Sequence, residues 1–270
     1  MQKTVGLIGA GRMGLPIVGH LVRAGFKVVA HDIDPAKRAA VEAKGAQWAA
    51  RVSELAESAQ VVLICVGFDR EVQALLAPDG GLSRAKPGTI VAILSTIHPH
   101  TVQKLAAGAA PRGVHVIDST VCRGGKAADE GTLLSFVGGG TDIVEQITPV
   151  LRAYSSDIVH SGGVGTAQVA KAVNNLILWA CLVADHEGLA LAQRYNVDVE
   201  ALRRALLISS AANGALENWG NQTMAWAQDD MVIVGAMADD CGISLPQAGV
   251  VREICRTLKP RRYRLEQYGQ

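Results

Sequence analysis

Aromatic residues are scarce in this chain: 3 Phe, 4 Tyr and 4 Trp among 270 residues. So thin a supply argues against an aromatic-rich β-sandwich. Cysteine is neither abundant nor paired. The five cysteines, Cys65, Cys122, Cys181, Cys241 and Cys255, are scattered and form no C-x-x-C. An odd number without that spacing argues against a disulfide framework and a zinc site, so no metal and a reducing, cytoplasmic compartment are expected. Charge of one sign is missing too. Lys and Arg number 26 against 25 Asp and Glu, a net +1, which leaves no basic surface for a nucleic acid. The longest apolar run, Leu176 to Ala184, is about half a membrane span, so no membrane association is expected. Met1-Gln2-Lys3-Thr4 leads directly into an apolar stretch, so no signal or transit segment is expected.

What is present is core-forming material and glycine. Hydrophobic residues make up 49%, charged residues 19%, and glycine contributes 29 positions. This composition excludes disorder and suits a glycine-turned α/β protein of one large or two smaller domains. Short apolar runs at 5–8, 27–30, 61–66, 89–94, 114–117 and 133–137 read as strands, with helical stretches such as 12–24 and 35–43 between them. Alternation of this kind implies βαβ units and a largely parallel sheet. The pattern changes after Gly162-Gly163-Val164-Gly165. From Thr166 to about Arg194 there is no proline and one glycine, Gly188, which predicts a helix about 40 Å long. Segments 199–209, 222–241 and 246–258 also read as helices. The expected organisation is an α/β domain over 1–163 and an all-helical domain over 164–270, built on the long helix. The middle of that helix is apolar all round and exceeds what the helical domain can cover, which predicts a homodimer.

Gly9-Ala10-Gly11-Arg12-Met13-Gly14 is a G-x-G-x-x-G between a predicted strand and a predicted helix. In that context the first glycine makes a tight turn and the second admits a pyrophosphate to the backbone. The third lets helix and strand pack closely. Asp32 ends the next predicted strand, eighteen residues after Gly14. A carboxylate there accepts hydrogen bonds from the adenosine ribose and repels a 2′-phosphate. The expectation is a dinucleotide-binding Rossmann domain. Ile33, not arginine, follows Asp32, which favours NAD over NADP, although Lys37 and Arg38 lie a turn later.

A second informative stretch begins the long helix. Lys171 and Asn175 stand at i and i+4 and so share one face. A partly desolvated lysine in an apolar helix suits general acid/base work on a carbonyl/alcohol pair, with Asn175 on the same substrate oxygen. A snorkelling lysine with a capping asparagine fits the same spacing.

Taken with Ser95-Thr96-Ile97-His98-Pro99 and with Asp118 through Leu133, these motifs resemble the β-hydroxyacid dehydrogenase family over nearly the whole chain. The resemblance implies a Rossmann domain, a long interdomain helix and a helical dimerisation domain. It also implies reversible NAD(P)-linked oxidation of a small 3-hydroxyacid. It places Gly9, Gly11, Gly14 and Asp32 in the dinucleotide site, with Arg12 and Met13 of the same turn. It sets Thr96 near the nicotinamide ribose, and Val66 and Gly67 where the family carries Leu-Pro beside the adenosine. Lys171 matches the catalytic lysine and Asn175 the substrate-binding asparagine.

Two departures qualify the substrate. The family's D-x-P-V-S-G-G loop is here Asp118-Ser119-Thr120-Val121-Cys122-Arg123-Gly124, so a serine becomes the weaker donor Cys122 and a glycine becomes Arg123. A guanidinium there suits a carboxylate, sulfonate or phosphate, and Cys122, Arg123 and Gly124 are taken as substrate-binding positions; a surface arginine fits equally. Asp229-Asp230 replaces the usual Lys-Asp. The alternatives left standing are a reductase of a sulfonated aldehyde or an imine, and a catalytically silent dinucleotide-binding module.

Overall fold

The computed structural model describes residues 3–269. The chain divides into two compact units, one ending at Lys171 and the other beginning at Ala172, so the division falls inside the long helix.

The first unit runs β1 (Thr4–Ile8), α1 (Gly14–Arg23), β2 (Lys27–His31), α2 (Arg38–Ala43), β3 (Gln47–Trp48), α3 (Val52–Ser58), β4 (Val61–Ile64), α4 (Asp69–Leu76), β5 (Ile90–Ile93), α5 (Pro99–Ala109), β6 (His115–Cys122), α6 (Gly124–Glu130), β7 (Leu133–Gly138), α7 (Thr141–Leu151) and β8 (Ser155–Gly162). The strands form one sheet in the order β3-β2-β1-β4-β5-β6-β7-β8. Neighbours are parallel except β6 and β7, which pair antiparallel from Asp118↔Gly138 to Cys122↔Leu134. Both faces are covered, as a parallel sheet requires. Val61 and Leu63 belong to one buried cluster, with Ile17, Val18 and Leu21 of α1. Val62 and Ile64 belong to the other, with Leu55, Val72 and Val102 of α3, α4 and α5. This period of two, apolar on both faces, is why the run at 61–66 reads as continuous hydrophobicity. Strand order reverses between β1 and β4, so a crevice opens at their carboxyl ends, where α/β sheets of this topology bind ligands.

The sheet corrects the sequence reading at three places. β3 and β8 were not expected, since β8 alternates poorly and is mostly exposed or half-buried. β6 is longer than 114–117 because Asp118, Ser119 and Thr120 continue it, fully buried.

α8 (Thr166–Arg194) leaves the first unit and enters the second, followed by α9 (Val199–Leu206), α10 (Gly214–Glu217), α11 (Ala227–Cys241) and α12 (Pro246–Leu258). Trp179, Leu182 and Val183 of α8 pack with Met231 and Val234 of α11 and with Val251 and Cys255 of α12. By length and composition α8 could cross a membrane, but it also carries the buried polar residues Gln168, Asn175 and His186. Within the single chain α8 is not covered on every side. Val169, Val173, Ile177 and Leu191 remain 42%, 50%, 58% and 60% exposed, and the first three form a stripe at four-residue spacing.

Candidate active site

The glycine-rich turn links β1 to α1 at the crevice. Gly9 has a φ of +99°, and a Cβ on it would collide with the carbonyl oxygen of Cys65. A Cβ on Gly14 would collide with the carbonyl oxygen of Gly9. A Cβ on Gly11, in contrast, would meet nothing within 4 Å. The two outer glycines therefore serve the fold, and the middle one leaves backbone open to an approaching pyrophosphate at the N-terminus of α1. Asp32 directly follows β2, with Oδ2 accepting from the Ala10 N–H at 2.7 Å and Oδ1 from the Asp34 N–H at 2.9 Å. Each oxygen keeps a lone pair for a ribose hydroxyl. The residues present fit a nicotinamide dinucleotide.

The neighbours of that turn are more committed than their positions suggest. Arg12 makes a bidentate pair with Asp129 of α6, at 2.8 and 2.6 Å, and the guanidinium holds the Asp129 carboxyl below its usual range. Met13 packs partly buried against the sheet core. The Val66 N–H donates to Ser95 Oγ, and the Gly67 N–H to Glu71 Oε2, both at 2.9 Å. Thr96 is half-buried beyond β5, between Ser95 and Ile97.

The start of α8 is bolted to the sheet by side chains absent from the sequence reading's candidate residues. Asp118, fully buried in β6, accepts from the Gly165 N–H at 2.8 Å and the Gln168 N–H at 2.9 Å. Burial pushes its carboxyl above the usual range, and those two N–H groups draw it partly back. Thr120 Oγ1 donates to the Ala167 carbonyl at 2.9 Å. Gln168, also buried, donates to the Ser95 carbonyl and accepts from the Ile97 N–H, each at 2.9 Å, so it ties the helix to both sides of Thr96. No local pattern marks the role of Gln168, because its partners, the Ser95 carbonyl and the Ile97 N–H, lie some seventy residues away.

This framework directs Lys171. Its Nζ donates to the Val121 carbonyl at 2.8 Å and lies 3.8 Å from Cys122 Sγ, so the ammonium sits at the carboxyl end of β6. Cys122 is buried, and Gly124 follows with open space around it. Arg123 departs from the expected role. It adopts a φ of +82°, and its Nη1 donates to the Thr132 carbonyl, Ser156 Oγ and Asp157 Oδ2, the last at 2.7 Å. Its charge holds the Asp157 carboxyl below the usual range. The guanidinium is thus an ion-pair partner on the sheet surface, not an open fork for a substrate anion.

Asn175 lies one turn further along α8 in the second unit, buried, with Oδ1 accepting from Asn174 Nδ2 at 3.0 Å. The acid pair of α11 divides. Asp230 is buried and accepts from Trp179 Nε1 at 2.9 Å, while Asp229 is exposed.

The chain is similar to known dehydrogenases along most of its length. Residues 4–163 match the family model described as the NAD binding domain of 6-phosphogluconate dehydrogenase. Residues 165–267 match the one described as NAD-binding of NADP-dependent 3-hydroxyisobutyrate dehydrogenase. The chain is 33% identical to the 2-(hydroxymethyl)glutarate dehydrogenase of Eubacterium barkeri, over 80% of this chain and 73% of that one. It is also 33% identical to the NAD-dependent L-serine dehydrogenase of Pseudomonas aeruginosa, with the same two coverages. Its fold is similar to a solved 3-hydroxyisobutyrate dehydrogenase of Mycobacterium tuberculosis with L-serine: TM-score 0.87, 24% identity, 97% of this chain and 95% of that one.

Proposed function

The chain belongs to the β-hydroxyacid dehydrogenase family and is an NAD(P)-dependent oxidoreductase acting on CH–OH groups; from that premise we propose that it interconverts a small 3-hydroxyacid and its aldehyde or ketone, with NAD as cofactor and Lys171 as general acid/base. The observation that carries this reading is the placement of Lys171 Nζ on the Val121 carbonyl, by a helix whose start is held at Asp118, Thr120 and Gln168. A bound nicotinamide dinucleotide supplies the hydride acceptor. Lys171 removes the hydroxyl proton as the alcohol is oxidised and returns it on reduction. The turn at Cys122, Arg123 and Gly124 offers backbone N–H groups to the substrate carboxylate, and Asn175, on its i to i+4 spacing from Lys171, orients the reacting oxygen. With the Arg123 side chain held by Asp157, its guanidinium is not assigned to the substrate anion, whether carboxylate, sulfonate or phosphate.

The preference for NAD rests on two observations. Asp32 directly follows β2, where a 2′-phosphate would meet its charge, and Arg38, the nearby arginine, is paired with Glu42 at 2.8 Å. We further propose a soluble, cytoplasmic homodimer in which a second copy covers the exposed stripe Val169, Val173 and Ile177 of α8.

The test is NAD reduction with a panel of short 3-hydroxyacids, sulfonates and polyols. Wild type turns over at least one 3-hydroxyacid, and Lys171→Ala loses roughly 10²- to 10⁴-fold in turnover while still binding NAD. A variant as fast as wild type refutes the role given to Lys171. Tighter binding of NADPH than NADH refutes the role given to Asp32.

A further inference from the structure

The chain's own departure at position 122 puts a thiol beside an amine. Cys122 Sγ and Lys171 Nζ are 3.8 Å apart, held on separate elements, β6 and α8, by the Asp118 and Thr120 hydrogen bonds. A serine at 122 would offer no such chemistry. Burial pushes the Cys65 thiol up to about 12 and the Cys255 thiol up to about 11, and it raises Cys181 as well. Cys241 is exposed. Thiols react with peroxide as their anions, and a neighbouring ammonium is a general means of stabilising that anion.

We propose that Cys122 and Lys171 form a site of reversible covalent modification, in which peroxide oxidises the thiol and the lysine amine captures the product as a sulfur–nitrogen bond. In the first step the sulfur attacks one peroxide oxygen, the O–O bond breaks, and a sulfenic acid and water result. In the second, the lone pair of neutral Lys171 Nζ attacks that sulfur, the S–O bond breaks, and the oxygen leaves as water with a proton from nitrogen. In sum, one thiol, one amine and one hydrogen peroxide yield one S–N bond and two waters. Two electrons pass to the peroxide. Capture competes with further oxidation because the amine already lies 3.8 Å from the sulfur. A dithiol reverses the bond by attack at sulfur. That the bond silences the enzyme rests on the role proposed for Lys171; that it forms does not.

The experiment treats the whole protein with hydrogen peroxide and reads its intact mass and peptide map. The expected product is lighter by about 2 Da, with the peptides carrying Cys122 and Lys171 linked, and it reverts with dithiothreitol. Neither Cys122→Ser nor Lys171→Arg yields it. Cys122 carrying two or three added oxygens beside a free Lys171, or Cys122 unmodified while Cys241 oxidises, overturns the proposal. Turnover is followed in the same samples, each variant against its own untreated rate. Linked wild type loses turnover about tenfold or more and regains it with dithiothreitol. A linked protein of undiminished turnover supports the modification site and refutes Lys171 as the acid/base.

Discussion

A Cβ added at Gly9 or Gly14 in the first unit would collide with a backbone carbonyl, whereas one added at Gly188, Gly214, Gly235 or Gly249 in the second would meet nothing within 4 Å. Buried polar groups bind backbone in both units, so the glycines carry the difference. In the first unit Asp118 and Gln168 bind backbone N–H and carbonyl groups. In the second, Asp230 is held by the Trp179 indole, and His186 bonds the Leu182 carbonyl and the Tyr263 N–H while its ring packs against Trp219 and Tyr263 at ring-centre distances of 4.5 and 5.3 Å. The contrast teaches where each unit's precision comes from. A sheet-and-turn unit that must present a phosphate cradle sets its geometry by backbone meeting backbone, which tolerates little change. The helical unit sets its geometry by side-chain packing, which can adjust.

Five measurements sharpen or break this contrast. The largest effect is expected from Gly14→Ala, whose methyl would collide with the Gly9 carbonyl, backbone that cannot swing aside, and would crowd the Leu7 side chain. It should cost roughly 3 kcal/mol in chemical unfolding and abolish NAD binding. A wild-type midpoint with intact binding would contradict the collision. Next comes Gln168→Ala, which leaves the Ile97 N–H and the Ser95 carbonyl buried without their partner. A loss of about 2 kcal/mol in unfolding, with reduced turnover, is expected.

Third is the acid response of the second unit. The His186 Nδ1–H donates to the Leu182 carbonyl at 2.7 Å, and Nε2 accepts from the Tyr263 N–H at 2.9 Å, so the ring is neutral in the fold. Burial lowers its pKa below the ordinary 6.5. The unfolded chain then binds more protons as pH falls through 6.5, so this contribution to stability is present above that value and is lost on acidification. Unfolding midpoints measured between pH 8 and 5 should fall with pH, less steeply in His186→Gln; equal slopes would remove His186 from the argument. The smallest effects come from substitutions in open space. Gly188→Ala, inside α8, should gain about 0.5–1 kcal/mol. Ile177→Ser, more than half exposed, should change protomer stability by less than about 0.5 kcal/mol while weakening self-association in sedimentation.

Much of this architecture was legible in the residues. α8 and α12 run over the predicted 166–194 and 246–258, because uninterrupted apolar periodicity bounded by glycine and proline is a local signal. The alternation of strands and helices announced a doubly wound sheet for the same reason. β8 escaped notice because an edge strand exposes most of its residues and so loses the pattern. Asp118 and Thr120 hid the length of β6, since polar residues in a strand look like its end unless their partners on another element are known.

What the amino-acid order determined by itself is everything that depends on near neighbours: the strand–turn–helix with its three glycines, Asp32 at the end of the second strand, and Lys171 early in a long helix. Those features need only backbone stereochemistry and short-range spacing. Only the tertiary structure decided what the charged groups do. It committed the Arg123 guanidinium to Asp157, buried Asp230 against Trp179, and seated the lysine amine on the Val121 carbonyl beside a thiol. A charge takes whichever partner the folded chain brings within about 3 Å, and residues thirty to fifty apart carry no local record of that meeting.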